Sequence, residues 1–253
     1  MLKYSEFKEK DMEYLTFILR HGMVTAKQIM LFFEEPNVHR VYRRLRKLAG
    51  KKLVKHEQVA HKIGVYFGTH EARNIVQVDA TVPQKASVYI MQHELLVNDL
   101  ILYYYFSSKK KGISFSYVTE REVRFAMIGE GSNQSKLQAY NETRDRIPDA
   151  IFFFESREGN TSTTWIELEL NKKDKKRYDE KFKMFDRMLA GHMEHLPYRY
   201  DQVMYFTNDT KTRNALEEAK KSVLNPDLIK VRPIPDVVVH DRWEEVTEGG
   251  STE

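Results

Sequence analysis

Asn37-Val-His-Arg-Val-Tyr-Arg-Arg-Leu-Arg-Lys-Leu-Ala-Gly50 carries two faces on one expected helix. Asn37 suits an N-cap, because its side-chain oxygen can accept from a free first-turn amide. The helix runs to about Leu48, and Gly50 ends it. At helical spacing Val38, Val41, Tyr42, Leu45 and Leu48 form one stripe, while Arg40, Arg43, Arg44 and Lys47 recur at i, i+3, i+4 and i+7 on another. Upstream, Glu6 to Arg20 places Phe7, Met12, Leu15, Ile18 and Leu19 close to helical spacing and stops at His21-Gly22. Thr25 then caps a short helix to Phe32 or Phe33, closed by Glu34-Glu35-Pro36. Downstream, Leu53 to Glu57 and Ile63 to Phe67 read as two short strands around a polar turn.

Three helices followed by a hairpin is the order of a winged helix, whose third helix enters the DNA major groove with a basic outer face. Charge is distributed accordingly. The whole chain of 253 residues has a formal net charge of +4, yet residues 1–75 hold 15 Lys and Arg against 8 Asp and Glu. Between Asn37 and Lys55 there are eight basic residues and no acid. Such a block suits a phosphate backbone, and the other reading is a solvated Lys/Arg face. Arg40, Arg43, Arg44, Lys47, Lys51 and Lys62 are the expected DNA contacts.

Composition narrows the class. With 41% hydrophobic and 31% charged residues the chain reads as soluble and globular. It has no cysteine, which rules out a disulfide framework, a thiolate zinc site and a cysteine nucleophile, and fits a reducing cytosol. The first ten residues lack an apolar signal-peptide core, and the most apolar stretch, Leu95 to Phe106, is interrupted by Asn98 and Asp99. A cytoplasmic protein without a membrane span is expected.

Beyond a short helix from Glu71 to about Val78, Asp79 to Lys85 has linker chemistry. The expected boundaries are therefore 1–80 for the first domain, 86–243 for the second and 244–253 for a polar tail. Val88 to about Tyr105 reads as a long helix, Ser114 to Glu120 as a strand, and Ile128 to Arg146 as a long loop or insertion. Strands at Ala150 to Phe154 and Thr164 to Leu170 flank a hairpin loop, Ser156 to Asn160. A helix from Tyr178 to Leu189, a strand from Gln202 to Phe206, a helix from Lys211 to Val223 and a strand from Leu228 to Val231 follow. This is an α/β domain with a mixed sheet.

Chemistry concentrates in Pro148-Asp149 and Glu167-Leu168-Glu169. The strand period of two puts Glu167 and Glu169 on one face, and pairing of the two strands brings Asp149 to both. Three converging carboxylates call for a compensating cation, and an all-oxygen set suits Mg²⁺ or Mn²⁺. Ordinary solvent-facing acids, or ion pairs with Lys172 or Lys173, are the plainer reading.

Helix, strand, Pro-Asp strand, Glu-x-Glu strand, helix and strand together resemble the PD-(D/E)xK nuclease superfamily. Preceded by a winged helix, they are similar to the replication-relaxation family of plasmid proteins, which includes MobC-type relaxases. The matching pieces are Lys62 to Thr69, His93 to Asp99, Thr119 to Arg124, Ile147 to Ala150 and Trp165 to Leu170, within a similarity spanning roughly Asp11 to Val231. The resemblance implies an N-terminal winged helix and a restriction-endonuclease-like domain with a mixed central sheet. It implies metal ligation by Asp149, Glu167 and Glu169, with Glu169 standing where the family usually has lysine. Lys172, Lys173 or Lys181 would then supply the missing positive charge. His93 would join the site from the long helix, with Glu94, Asn98 and Asp99 as lesser candidates; its plain alternative is a core histidine capping a backbone group.

Other readings fall away. His192-Met-Glu-His195 lacks the His-Glu-x-x-His spacing and a third zinc ligand. Tyr103, Tyr104 and Tyr105 end an apolar helix and are better explained by packing, and Phe152 to Phe154 by strand core. There is no P-loop, dinucleotide fingerprint or His-x-His pair. The expected function is metal-dependent nicking or cleavage of double-stranded DNA at a plasmid origin or similar site, with a homodimer left open. The alternatives are a regulator that binds DNA without cutting it and a restriction-type double-strand endonuclease.

Overall fold

A computed structural model describes residues 7–59, 63–83, 88–128, 146–191 and 198–241. Lys62, His192 to His195, most of the Ile128–Arg146 loop and the tail from Glu244 lie outside them. Two compact units divide the chain: Met1–Leu102 with Arg124–Ala126, and Tyr103–Val123 with Met127–Glu253. The division at Leu102 falls inside a helix, not in the expected linker at Asp79 to Lys85.

In the first unit α1 (Glu9–His21), α2 (Ala26–Phe32) and α3 (Val38–Gly50) precede the hairpin β1 (Val54–Val59) and β2 (Ile63–Gly68), and α4 (His70–Val76) follows. Local chemistry sets the helix starts. Thr25 and Gln28 cap each other reciprocally at α2, and Asn37 Oδ1 accepts from Arg40 N at 3.2 Å at α3. Leu15, Ile18, Leu19, Ile29, Val41, Leu45 and Leu48 have no exposed surface. The last three come from the apolar stripe of α3, each contributing roughly 1.5–3 kcal/mol through burial. Tyr42, expected on that stripe, stays 40% exposed at its margin. β1 and β2 pair antiparallel from Val54↔Gly68 to Val59↔Ile63. Gly68 lets the hairpin approach α1: a Cβ there would lie 2.5 Å from Leu19 Cδ2. The order of three helices and a hairpin is therefore the one expected from the sequence.

One long helix, α5 (Val88–Lys111), begins in the first unit and ends in the second. Next in the chain come β3 (Ser114–Thr119) and α6 (Glu120–Ile128), whose residues Arg124–Ala126 group with the first unit. The second unit continues with β4 (Ala150–Glu155), β5 (Thr161–Leu168), α7 (Lys175–Leu189), β6 (Gln202–Phe206), α8 (Thr210–Lys220), β7 (Ile229–Arg232) and the short α9 (Asp236–Val239). The strands form one sheet in the order β3-β4-β5-β6-β7. The first three are antiparallel and the last three parallel, so the sheet is mixed and β5 is the strand where direction changes. Helices α7 and α8 supply the crossovers that parallel pairing needs. Trp165, Phe182, Phe185, Val203 and Leu216 form the dry core under these helices. On the opposite face Tyr104 packs against Phe152, Phe154 and Phe206, so the tyrosine and phenylalanine runs are packing residues, as expected. Helix α6 departs from the reading of the sequence. It starts directly after β3 because Thr119 and Glu122 bond reciprocally, with Glu122 Oε2 accepting from Thr119 N at 2.9 Å.

Candidate functional site

The end of β5 gathers the predicted acids of the second unit. Asp149 N donates to Ile166 O at 3.0 Å, which extends the β4–β5 ladder by one residue and sets Asp149 beside the Glu167 end. Asp149 Oδ2 in turn accepts from Leu168 N at 2.7 Å. Glu169 N donates to Phe206 O at 2.9 Å, carrying the pairing with β6 past the end of the strand. Glu167 and Glu169 are both buried, at 6% exposure.

Two lysines answer the glutamates. Lys181 Nζ, from α7, lies 2.7 Å from Glu167 Oε1, which also accepts from Trp165 Nε1 at 2.5 Å. Lys173 Nζ lies 2.5 Å from Glu169 Oε2. Burial pushes the Glu167 carboxyl above its ordinary range; Lys181 works against the rise and Asp149 adds to it. Burial likewise raises Glu169, opposed chiefly by Lys173. For Lys173 burial acts downward, but its contact with Glu169 prevails and holds it above the usual lysine range. The two glutamates are thus each paired with a lysine, Glu167 with Lys181 and Glu169 with Lys173.

Among the described residues no group of three or more His, Cys, Asp or Glu stands in an arrangement that could hold a metal ion. The donor chemistry of Asp149, Glu167 and Glu169 suits a hard cation. As arranged, however, the ammonium groups of Lys181 and Lys173 provide the counter-charge to two of the three. Lys172 is exposed and lines a groove between α7 and α8 instead.

Of the polar residues expected from α5, Glu94, Asn98 and Asp99 bond to α1, α2 and the segment between them. Glu94 Oε2 accepts from Met23 N at 3.1 Å, and Asn98 Oδ1 accepts from His21 Nδ1 at 2.8 Å while Asn98 Nδ2 donates to Met23 O at 2.9 Å. Gln28 Nε2 donates to Asp99 Oδ1 and to Leu95 O, both at 2.9 Å. These groups dock α5 on α1 and α2 within the first unit. Burial pushes His21 down to about 3, so it is a neutral donor here, although the bond to Asn98 opposes the shift. His93 is half-buried on this first part of α5.

The basic stripe of α3 also divides. Asp11 of α1, with a wholly buried side chain, binds Arg44 NH1 at 2.6 Å and Lys47 Nζ at 2.5 Å. Burial works to raise the Asp11 carboxyl, but bonds from Lys47 and Arg44 outweigh it and hold it below the usual carboxylate range. Arg44 and Lys47 are therefore struts between α3 and α1, not free contacts. Lys51 Nζ lies 4.5 Å from the centre of the Phe7 ring. Arg40 and Arg43 are exposed, as are His39 and Arg46, which the periodicity argument passed over. The outward charge of α3 is thus centred on Arg43. Tyr205 was also missed: it is aligned with Glu167 across β5 and β6, a neighbour that register alone reveals.

No helix among the described residues is long and apolar enough to cross a membrane. Fold and site define a two-unit α/β chain with a charged cluster at the end of its central strand. No protein-family model, curated protein or solved structure matches the chain.

Proposed function

We propose that the chain binds duplex DNA through a winged helix formed by α1 to α3 and the β1–β2 hairpin. Its second unit is a PD-(D/E)xK-like domain that nicks or cleaves DNA with Mg²⁺ or Mn²⁺, at an origin-like site of a plasmid or other mobile element. The observation that supports this reading is the placement of Asp149 beside the end of β5, where its Oδ2 accepts from Leu168 N and Lys181 pairs with Glu167. Asp149, Glu167 and Glu169 would hold the ion. When bound, such an ion supplies positive charge to a phosphoryl oxygen and makes water a better nucleophile at neutral pH. Lys181 supports the reading by bringing positive charge to a site whose Glu169 occupies the usual lysine position. Arg40, Arg43 and Arg46 have exposed side chains suited to backbone phosphates.

A second reading is favoured by a specific observation: Glu167 and Glu169 already pair with lysines. On that reading the chain is a replication or transcription regulator that binds DNA and does not cut it. One incubation separates them. Supercoiled plasmid with Mn²⁺ is expected to give open-circular product with the wild type and none with Asp149→Ala, duplex binding being retained. Equal cleavage by the variant would overturn the site assignment. Linear product would instead identify a double-strand endonuclease, and salt-sensitive binding without cleavage under any divalent ion would establish the regulator.

A further inference from the structure

Tyr205 holds a buried hydroxyl that the carboxylate–lysine pairing leaves out. Its ring is fixed in the core, stacked on Phe182 at 5.8 Å between centroids and edge-on to Phe185, and the residue is 1% exposed. The hydroxyl oxygen is shielded from solvent and has no hydrogen-bond partner among the described residues. Leaving such a group unsatisfied is costly, because it has given up water and gained nothing in return.

Tyr205 lines a cleft of about 230 Å³ in the second unit. Lys173, Lys181, Arg146, Arg177 and Arg187 line it too, against the acids Glu169 and Glu180. Lys173 and Lys181 are tied to glutamates, but Arg146, Arg177 and Arg187 are exposed and in no ion pair among the described residues. The space is smaller than the roughly 300–1,000 Å³ of drug-sized ligand pockets and suits one compact anion. A neutral donor beside several cations matches a tetrahedral oxyanion, whose oxygens accept hydrogen bonds while its charge is balanced.

We propose that this cleft binds a backbone phosphate of a nucleic-acid strand, with Tyr205 donating to a non-bridging oxygen and Arg146 and Arg177 supplying the charge. The assignment deepens the DNA-cleaving reading and rests on it for the identity of the strand; the anion site itself requires neither metal nor cleavage.

The test uses the full chain, its melting temperature, and two probes at constant ionic strength: inorganic phosphate and a short single-stranded oligothymidylate. Both are expected to raise the melting temperature of the wild type over a chloride control. Tyr205→Phe, which keeps the ring and removes only the unpartnered oxygen, should melt at or above the wild-type temperature without ligand. It should weaken phosphate binding roughly tenfold, and Arg177→Gln should do the same. Equal protection of the wild type and Tyr205→Phe, or no protection of the wild type, would overturn the site. Protection by phosphate but not by the oligonucleotide would overturn the strand assignment. A Tyr205→Phe variant that melts lower without ligand would show that the hydroxyl serves the fold and would also refute the proposal. Tyr205-dependent phosphate binding in a chain that never nicks plasmid would refute the DNA-cleaving reading alone.

Discussion

Asp11 in the first unit and Glu167 in the second are both buried carboxylates held by cations from a neighbouring helix, yet their balances differ. Asp11 meets two cations, Arg44 and Lys47, and its carboxyl is held below the usual range. Glu167 meets one, Lys181, with Asp149 adding like charge, and its carboxyl is pushed up. Glu169 repeats the second pattern with Lys173. An acid with surplus positive charge stabilises the fold and needs nothing further. An acid crowded by other acids is held at some cost in stability.

The sharpest break of this contrast is catalytic. On the proposed DNA-cleaving reading, Asp149→Ala should remove Mn²⁺-dependent nicking of supercoiled plasmid, while Asp11→Asn should leave nicking by the folded protein in place; gel separation of product forms reads both. Stability comes next. Lys181→Met leaves Glu167 buried without its cation and should cost about 3–5 kcal/mol in urea unfolding. Lys47→Ala should cost only about 1 kcal/mol, because Arg44 remains on Asp11 and the lysine is partly exposed. Equal losses for the two lysines would erase the distinction.

Acidity sharpens the same contrast. For Glu167 the native carboxyl binds its proton more readily than the ordinary glutamate value of 4.5, so its ionisation destabilises the fold at neutral pH. That penalty is relieved as pH falls through the raised native value towards 4.5, and Glu167→Gln should flatten the resulting gain in urea stability. Asp11 has the opposite sign. Its contribution is complete above 3.8 and is lost as pH falls through its lowered native value, a loss that Asp11→Asn should abolish. The smallest effect concerns α3. Arg43→Ala should reduce the slope of log affinity for duplex DNA against log salt by about one, and Lys47→Ala should leave that slope nearly unchanged.

Local patterning made much of this legible. The α1–α2–α3–hairpin order followed from apolar spacing and from the caps at Thr25 and Asn37, and period two set Glu167 and Glu169 together. Lys181 was one of three lysines that spacing left open; the turn of α7 over the end of β5 selects it for Glu167, while Lys173 takes Glu169. What local spacing could not supply depended on distant partners. Arg44 and Lys47 fit the outward stripe until Asp11, on another helix, claims them. Glu94, Asn98 and Asp99 suggested a polar site because their partners, Met23, His21 and Gln28, lie some seventy residues upstream. Tyr205 was read only as part of a strand, since no local signal says that its register neighbour is a glutamate. Helix α6 was within reach: Thr119-x-x-Glu122 is a capping-box spacing.

Strand β5 sits at the centre of the sheet, hydrogen-bonded along both edges, antiparallel on one side and parallel on the other. Its amides near Trp165 and Ile166 will therefore be among the last in the second unit to take up deuterium. Their exchange on heating will then follow melting of the sheet and will not precede it through fraying.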